Sequence, residues 1–339
     1  MKYPRIGFHQ QGVLLLLIAL FLLTGSTALF LVVMNSNNVD QARLDRTLDA
    51  LNEASDALIA YSMMYGDLYG NNGAGPGHLP CPDTDGDELE DTPCGPGAFG
   101  RIPREIVLPT ADIYAVSDFN SGTDQRIWYA LSNNFRADPP AVANPQIPGT
   151  LTVDGSGGYA AVLIAPGAVL AGQNRPSNLA ADYLEGTNNG GAVFQSVDAG
   201  IFNDVVRGIT VDELMSPVTA RVAEKIGEVL QSFFDRRGNY PRTRLQFENA
   251  LTGGGGGGGG RGGGRGGGRG GGRGGGGGGG GGGGPGLTMP AWFTDNDWLA
   301  NTVYNRLNTN TATVAFAGCN IVYTLNAGVT SIAKTSSQC

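Results

Sequence analysis

Positive charge is scarce in this chain. Its 22 lysines and arginines face 30 aspartates and glutamates, a net charge of −8. That balance excludes a general nucleic-acid binder, because phosphate contacts need a basic surface. Histidine is scarcer still, with only His9 and His78. A Ser-His-Asp set would have to use His78, and no Gly-x-Ser-x-Gly nucleophile elbow is present. Gly-x-x-x-x-Gly-Lys-Ser/Thr is missing, so the chain has no phosphate-cradling loop of that kind. Cys-x-x-Cys spacing is missing too, which leaves a zinc site unsupported. The expectation is a protein that is not an enzyme and has no certain cofactor. Paired carboxylates are abundant and on their own say nothing.

Charge of either sign is absent from Val13 to Met34, 22 residues in all. As a helix this run measures about 33 Å, enough to cross a hydrocarbon layer of roughly 30 Å. Lys2 and Arg5 precede it, so the flank expected inside is positive. Three fates fit these residues. One is a secretory signal cut near Ser26-Thr27-Ala28, although the apolar run continues past it from Leu29 to Met34. One is an uncleaved anchor. The third is processing at Gly12, where the apolar run begins.

The four cysteines, Cys81, Cys94, Cys319 and Cys339, form two pairs close in sequence. In an exported chain an even number points to disulfides. Cys81–Cys94 and Cys319–Cys339 are the expected bridges, although four cysteines allow three pairings.

A short basic leader ending Gln10-Gln11-Gly12, followed at once by some twenty apolar residues, resembles a type IV prepilin or pseudopilin. The resemblance implies cleavage between Gly12 and Val13 by a prepilin peptidase, with methylation of the new N-terminus. It also implies a retained helix that packs against other pilin or pseudopilin subunits. Two departures stand out. Val13 would be the first mature residue, where Phe or Met is commoner. Leu17 stands fifth, where most pilins have Glu. Leu17, the size of the chain and the Gly insertion point to a minor pilin or pseudopilin more than to a major fibre subunit. The Asp83 region, Trp128-Tyr129-Ala130-Leu131-Ser132 and Ala161-Val162-Leu163-Ile164-Ala165-Pro166-Gly167 are similar to a group of uncharacterised prepilin-like proteins. A C-terminal disulfide loop such as 319–339 is also common in type IV pilins.

The fold expected from this is α+β, with a long N-terminal transmembrane helix under a pilin-like extracytoplasmic head of mixed helices and antiparallel strands. Its parts are a leader at 1–12, a membrane and assembly helix at 13–34, an amphipathic continuation at 35–66, a head at 67–252, a Gly/Arg-rich insertion at 253–286 and the rest of the head at 287–339. The implied location is a bacterial inner membrane, single pass, with the head in the periplasm or in a surface fibre. Leu44, Leu48, Leu51, Leu58 and Tyr65 mark the apolar stripe of the continuation. Strands are expected at 127–131, 159–164, 311–316 and 320–325. Thr210 and Glu213 form a capping box for a helix that Pro217 should divide. A further helix is expected to start at 294–297 and to carry Trp298, Val303 and Leu307. From Gly253 to Gly284 the insertion is glycine apart from Arg261, Arg265, Arg269 and Arg273, a composition that holds neither helix nor strand.

The strongest chemical signal is Asp83-Thr84-Asp85-Gly86-Asp87, followed by Glu88, Glu90 and Asp91. Calcium takes six to eight oxygens, and alternating carboxylates around a glycine supply them. The EF-hand order is not met, since its glycine follows the third acid. The favoured reading is an acidic, solvated, disulfide-closed loop. Its alternative is a calcium site at Asp83, Asp85, Asp87 and Glu90. Taken together, the residues describe a structural subunit of a type IV pilus or type II secretion-like assembly, with no nucleic-acid partner. The rival readings are an anchored periplasmic binding protein that never polymerises and an anchored hydrolase using the acidic loop.

Overall fold

The computed structural model describes residues 10–68, 75–108, 113–116, 119–138, 140–196, 202–253, 287–329 and 333–334; on the first helix it describes side chains at 20–24 and 39–68. That helix, α1, runs from Gln10 to Leu68 as one element. The strands β1 (Phe99–Arg101), β2 (Glu105–Val107), β3 (Ile113–Ala115), β4 (Trp128–Leu131), β5 (Leu151–Val153), β6 (Ser156–Ala165), β7 (Val193–Phe194) and β8 (Val205–Thr210) follow. Helices α2 (Val211–Arg237), α3 (Arg244–Thr252), α4 (Trp292–Asp295) and α5 (Trp298–Asn301) come next. The last strands are β9 (Thr302–Arg306), β10 (Thr311–Phe316), β11 (Val322–Asn326) and β12 (Ala333–Lys334).

β6 organises the larger sheet. It pairs antiparallel with β4, β5 and β8, while β1 extends the sheet beyond β4 and β7 lies parallel to β5. Ala160 to Ala165 are all fully buried. They form a continuous apolar run because both faces of the strand are covered. Ala161 and Leu163 face the main core with Tyr129 and Leu131. Val162 and Ile164 face a second core of Trp128, Tyr183, Leu184 and Phe194. The second sheet, in order β12-β11-β10-β9, alternates instead. It turns Ala312, Val314, Phe316, Tyr323 and Leu325 into the main core.

α2 lies across this core. The Thr210 hydroxyl accepts the Glu213 N–H at 3.1 Å, and Gly238 closes the helix in the left-handed region at φ 69. Pro217 does not divide α2, contrary to expectation. Leu214, Met215, Val218 and Val222 are fully buried on either side of it, and their packing holds the helix through the missing N–H. The helix expected from 294 on is two short pieces, α4 and α5. It gives way to β9 at Thr302, where Thr302-Val303-Tyr304 favours extended backbone. Trp298 is buried as a result, whereas Val303 and Leu307 are exposed.

Among the described residues no helix is long and apolar enough to cross a membrane. This corrects the expected transmembrane helix over 13–34. The single-pass inner-membrane location and the fold class built on that helix are corrected with it. Apart from the stretch at 20–24, the described side chains of α1 include Asp40, Arg43, Asp45, Arg46, Asp49, Glu53 and Asp56. These charges fall in the expected amphipathic continuation at 35–66. The head is sheet-rich, with its strands in sheets of six, four and two. The apolar stripe is shorter than its periodicity predicts. Leu51, Leu58, Tyr61 and Tyr65 are buried, but Leu44 and Leu48 remain 46% and 43% exposed. The docked part of α1 begins at Thr47, whose hydroxyl accepts the Gly122 N–H at 2.9 Å. Gly122 is required there, because a Cβ would sit 2.0 Å from the Arg43 carbonyl oxygen. The expected insertion, from residue 254 on, and the leader up to residue 9 lie outside the described residues, as does Cys339.

Candidate functional site

Two features merit attention: the acidic loop and the free part of α1. A Cys81–Cys94 disulfide closes the loop, with the Cα atoms 5.6 Å apart. Cys319 is disulfide-bonded as well, and its expected partner Cys339 lies outside the described residues. The loop is stitched to β1 at Asp83, whose N–H donates to the Arg101 carbonyl at 2.9 Å and whose carbonyl accepts the Arg101 N–H at 2.7 Å. Gly100 permits the approach, since a Cβ there would lie 2.3 Å from the Asp83 carbonyl oxygen.

Asp83 is fully buried. Its Oδ1 accepts the Gly86 N–H at 2.6 Å and its Oδ2 the Glu88 N–H at 3.0 Å, while Arg126 pairs with Oδ2 at 2.7 Å. A buried carboxylate needs such partners to remain charged. Asp85 accepts the Asp87 N–H at 3.1 Å, and Asp87 the Leu89 N–H at 2.9 Å. These are local turns that the aspartates make on their own backbone. Glu90 points elsewhere and accepts the Cys81 N–H at 3.3 Å. Asp91 accepts both the N–H and the hydroxyl of Thr84, at 2.6 and 2.5 Å. Its partial burial works to raise the pKa. Those two bonds and the Asp85 N–H outweigh it and hold the carboxyl below the usual range.

The carboxylates brought together are therefore Asp83, Asp85 and Asp91, with one oxygen of each within 4.8 Å of the others. Asp87 and Glu90 of the expected calcium set do not join them, and Asp91 was missed. No spacing rule marks it; the nearest signal is Thr84, whose hydroxyl and N–H draw it in. Both oxygens of Asp83 already hold N–H and guanidinium donors. The donor set thus fits a self-braced loop better than a cation that needs six to eight oxygens.

Beside the loop a groove of about 480 Å³ is lined by Glu88, Arg101, Asp124, Arg126, Asn178 and Tyr183. The Arg101 guanidinium lies 5.1 Å from the Trp128 ring centroid and donates to Asn178 Oδ1 at 3.0 Å and to the Ser177 carbonyl at 2.6 Å. His78 does not reach the groove. It is fully buried, with Nδ1 2.6 Å from the Gly75 carbonyl oxygen and Nε2 2.6 Å from that of Ala141. Cys81 is in its disulfide, so His78 and Cys81 are not arranged as base and thiol nucleophile.

No family model matches this chain, and no curated protein or solved structure matches it either. Its own geometry carries the functional reading.

The free part of α1 is the second feature. Leu20, Phe21, Leu22 and Leu23 are 51 to 80% exposed, and Val39, Leu44 and Leu48 are also open. Further along, Asp45, Asp49, Glu53 and Asp56 are exposed opposite the buried Leu51, Ala54 and Leu58. Spacings of three and four residues line these acids up along the helix, facing away from the head. Gly12 and Val13 lie within α1, and their side chains are outside the described residues.

Proposed function

We propose that this chain is a structural subunit, of the minor-pilin or pseudopilin kind, that joins an assembly through its N-terminal helix. One observation carries the reading: α1 is a single helix, and it exposes consecutive large apolar side chains at 20–23. Contiguous exposed apolar surface on a helix marks a place where something else packs. Helices of neighbouring subunits are the partner that fits a rod of this length, and coiled-coil-like packing of such rods is favourable. The head contributes the surface, with its acidic loop braced so as to hold one shape. Processing at Gly12–Val13 by a prepilin peptidase belongs to the same proposal, since it frees the start of the helix. No catalytic step is assigned to the chain.

The test is the intact mass and N-terminal sequence of the protein, isolated from cells with and without a prepilin peptidase. A chain that begins at methylated Val13 only when the peptidase is present is the expected result. A start at Met1 in both strains would favour a binding protein that never polymerises. A start at Leu29 would remove the assembly helix and overturn the proposal.

A further inference from the structure

Between β6 and β8 the chain makes a long excursion, residues 166–204, that covers the second core and supplies Ser177, Asn178 and Tyr183 to the groove. We propose that Glu185 and Asp204 share one proton, and that this proton clasps the end of the excursion to its own middle. The inference is independent of the assembly reading.

The two side chains are interleaved. Asp204 Oδ2 accepts the Glu185 N–H at 3.0 Å and the Asn188 Nδ2–H at 3.3 Å. Glu185 Oε2 accepts the Asn203 N–H at 3.1 Å, and Oε1 accepts the Gln173 Nε2–H at 2.7 Å. Each carboxylate thus binds the backbone next to the other. Asp204 is only 6% exposed, and its Oδ1 is buried without a donor. An acceptor left so is costly. These crossed hydrogen bonds set each carboxyl against the backbone beside the other, and a proton held between the two meets the need of Oδ1.

Among the described residues the neighbouring charges are committed elsewhere. Arg175 is committed to the carbonyls of Gly167, Asp182 and Tyr183, and it touches Glu185 only through Gln173, whose Oε1 it holds at 2.8 Å. Asp182 accepts from the Ser177 hydroxyl. Arg207 on β8 pairs with Glu213. A buried carboxyl beside a second carboxylate is disfavoured in its charged form. Burial above all pushes the Asp204 carboxyl up to about 7; the Glu185 N–H opposes it, the neighbouring Glu185 charge adds to it, and Asn188 pulls the other way.

The sign follows. A carboxyl whose folded pKa lies above its unfolded value contributes stability that is complete below about 3.8, declines as pH rises and is gone above about 7. One linked proton changes the opening equilibrium by up to tenfold per pH unit in that window. Limited proteolysis of the full chain reads the opening, with cleavage sites mapped by mass. The expected result is that cleavage within 166–204 accelerates from pH 5 to pH 7 up to tenfold per unit, and that Asp204→Asn, whose amide donates to Glu185 at every pH, removes that slope. In the infrared, a protonated carboxyl band present at pH 5 should vanish by pH 8 and be missing from Asp204→Asn. Should that variant fail to fold, Glu185→Gln, which puts an amide donor on the other side, serves for both readouts. Parallel slopes in wild type and variant would overturn the proposal. So would calcium binding at pH 8, measured by calorimetry and abolished in the variant, since the pair would then hold a cation.

Discussion

Truncating two leucines on the same helix, ten positions apart, should give very different costs. Leu48 and Leu58 both belong to the apolar periodicity of α1, but Leu58 is fully buried whereas Leu48 is 43% exposed. Leu58 packs in the main core alongside Leu51 and Tyr61. Leu58→Ala deletes its side chain and leaves a cavity between α1 and the head, at a cost of about 3 kcal/mol within the usual range of roughly 2–5. For a folded unit of this size a kilocalorie shifts the melting temperature by about 2–4 °C, so the expected drop is about 6–12 °C. Leu48→Ala removes a side chain that is already largely in water and should change stability by no more than about 0.5 kcal/mol. Calorimetry or a circular-dichroism melt, with chemical denaturation as a second measure, reads both. Equal losses would mean that the head extends along α1 to position 48, and the free helix segment on which the assembly reading rests would shrink accordingly. No loss at Leu58 would mean that α1 is not part of the core.

Other perturbations probe the loop and the buried histidine. Arg126→Met leaves the Asp83 carboxylate buried without its cation and should cost about 3–5 kcal/mol, seen as a lower denaturation midpoint, whereas Arg104→Met, at the exposed Glu88 pair, should cost under about 1. Replacing Cys81 and Cys94 together by serine should cost about 2–4 kcal/mol and make the loop the first site of proteolysis; an unchanged melt would show that Asp83 alone holds it. Burial drives the proton off His78 more strongly than its two carbonyl neighbours draw it on, so its pKa lies below 6.5. The unfolded chain therefore takes up that proton first, and stability should fall as pH drops below about 6.5. His78→Gln should lessen the loss between pH 7 and pH 5 in urea titrations, and an equal loss in both proteins would assign it to other groups.

What was legible in the sequence was what local chemistry decides. The six buried residues of β6 form the apolar run of a strand covered on both faces, and the Thr210 hydroxyl caps α2 as expected, although the Glu213 carboxylate pairs with Arg207 instead of completing the box. Periodicity alone failed where it had to stand in for a neighbour. Leu44 and Leu48 continue the stripe of Leu51 and Leu58, but a helix repeat is the same whether or not anything packs against it. The helix projected through Val303 and Leu307 failed because Thr302 to Tyr304 pair with β10 across the sheet, a contact invisible in a window of neighbours. In the acidic loop the composition was plain and the geometry was not. Whether Glu90 or Asp91 turns inward depends on Thr84 and on the Cys81 N–H, not on spacing.

The long-range pairs explain why the head keeps its shape without a dominant motif. Asp83 finds Arg126, and Glu185 finds Asp204, each across a chain segment that local rules cannot measure. Both pairs hold irregular segments that lie over the larger sheet, and the groove lies between those segments. They are stabilised differently. Asp83 is met by a guanidinium and two N–H groups. Among the described residues Asp204 has N–H donors but no cation, and the proposed proton takes that place. One wall of the groove is therefore held by an ion pair and the other, on the proposal above, by a proton. A partner that binds across it would feel acidity through the 166–204 side alone.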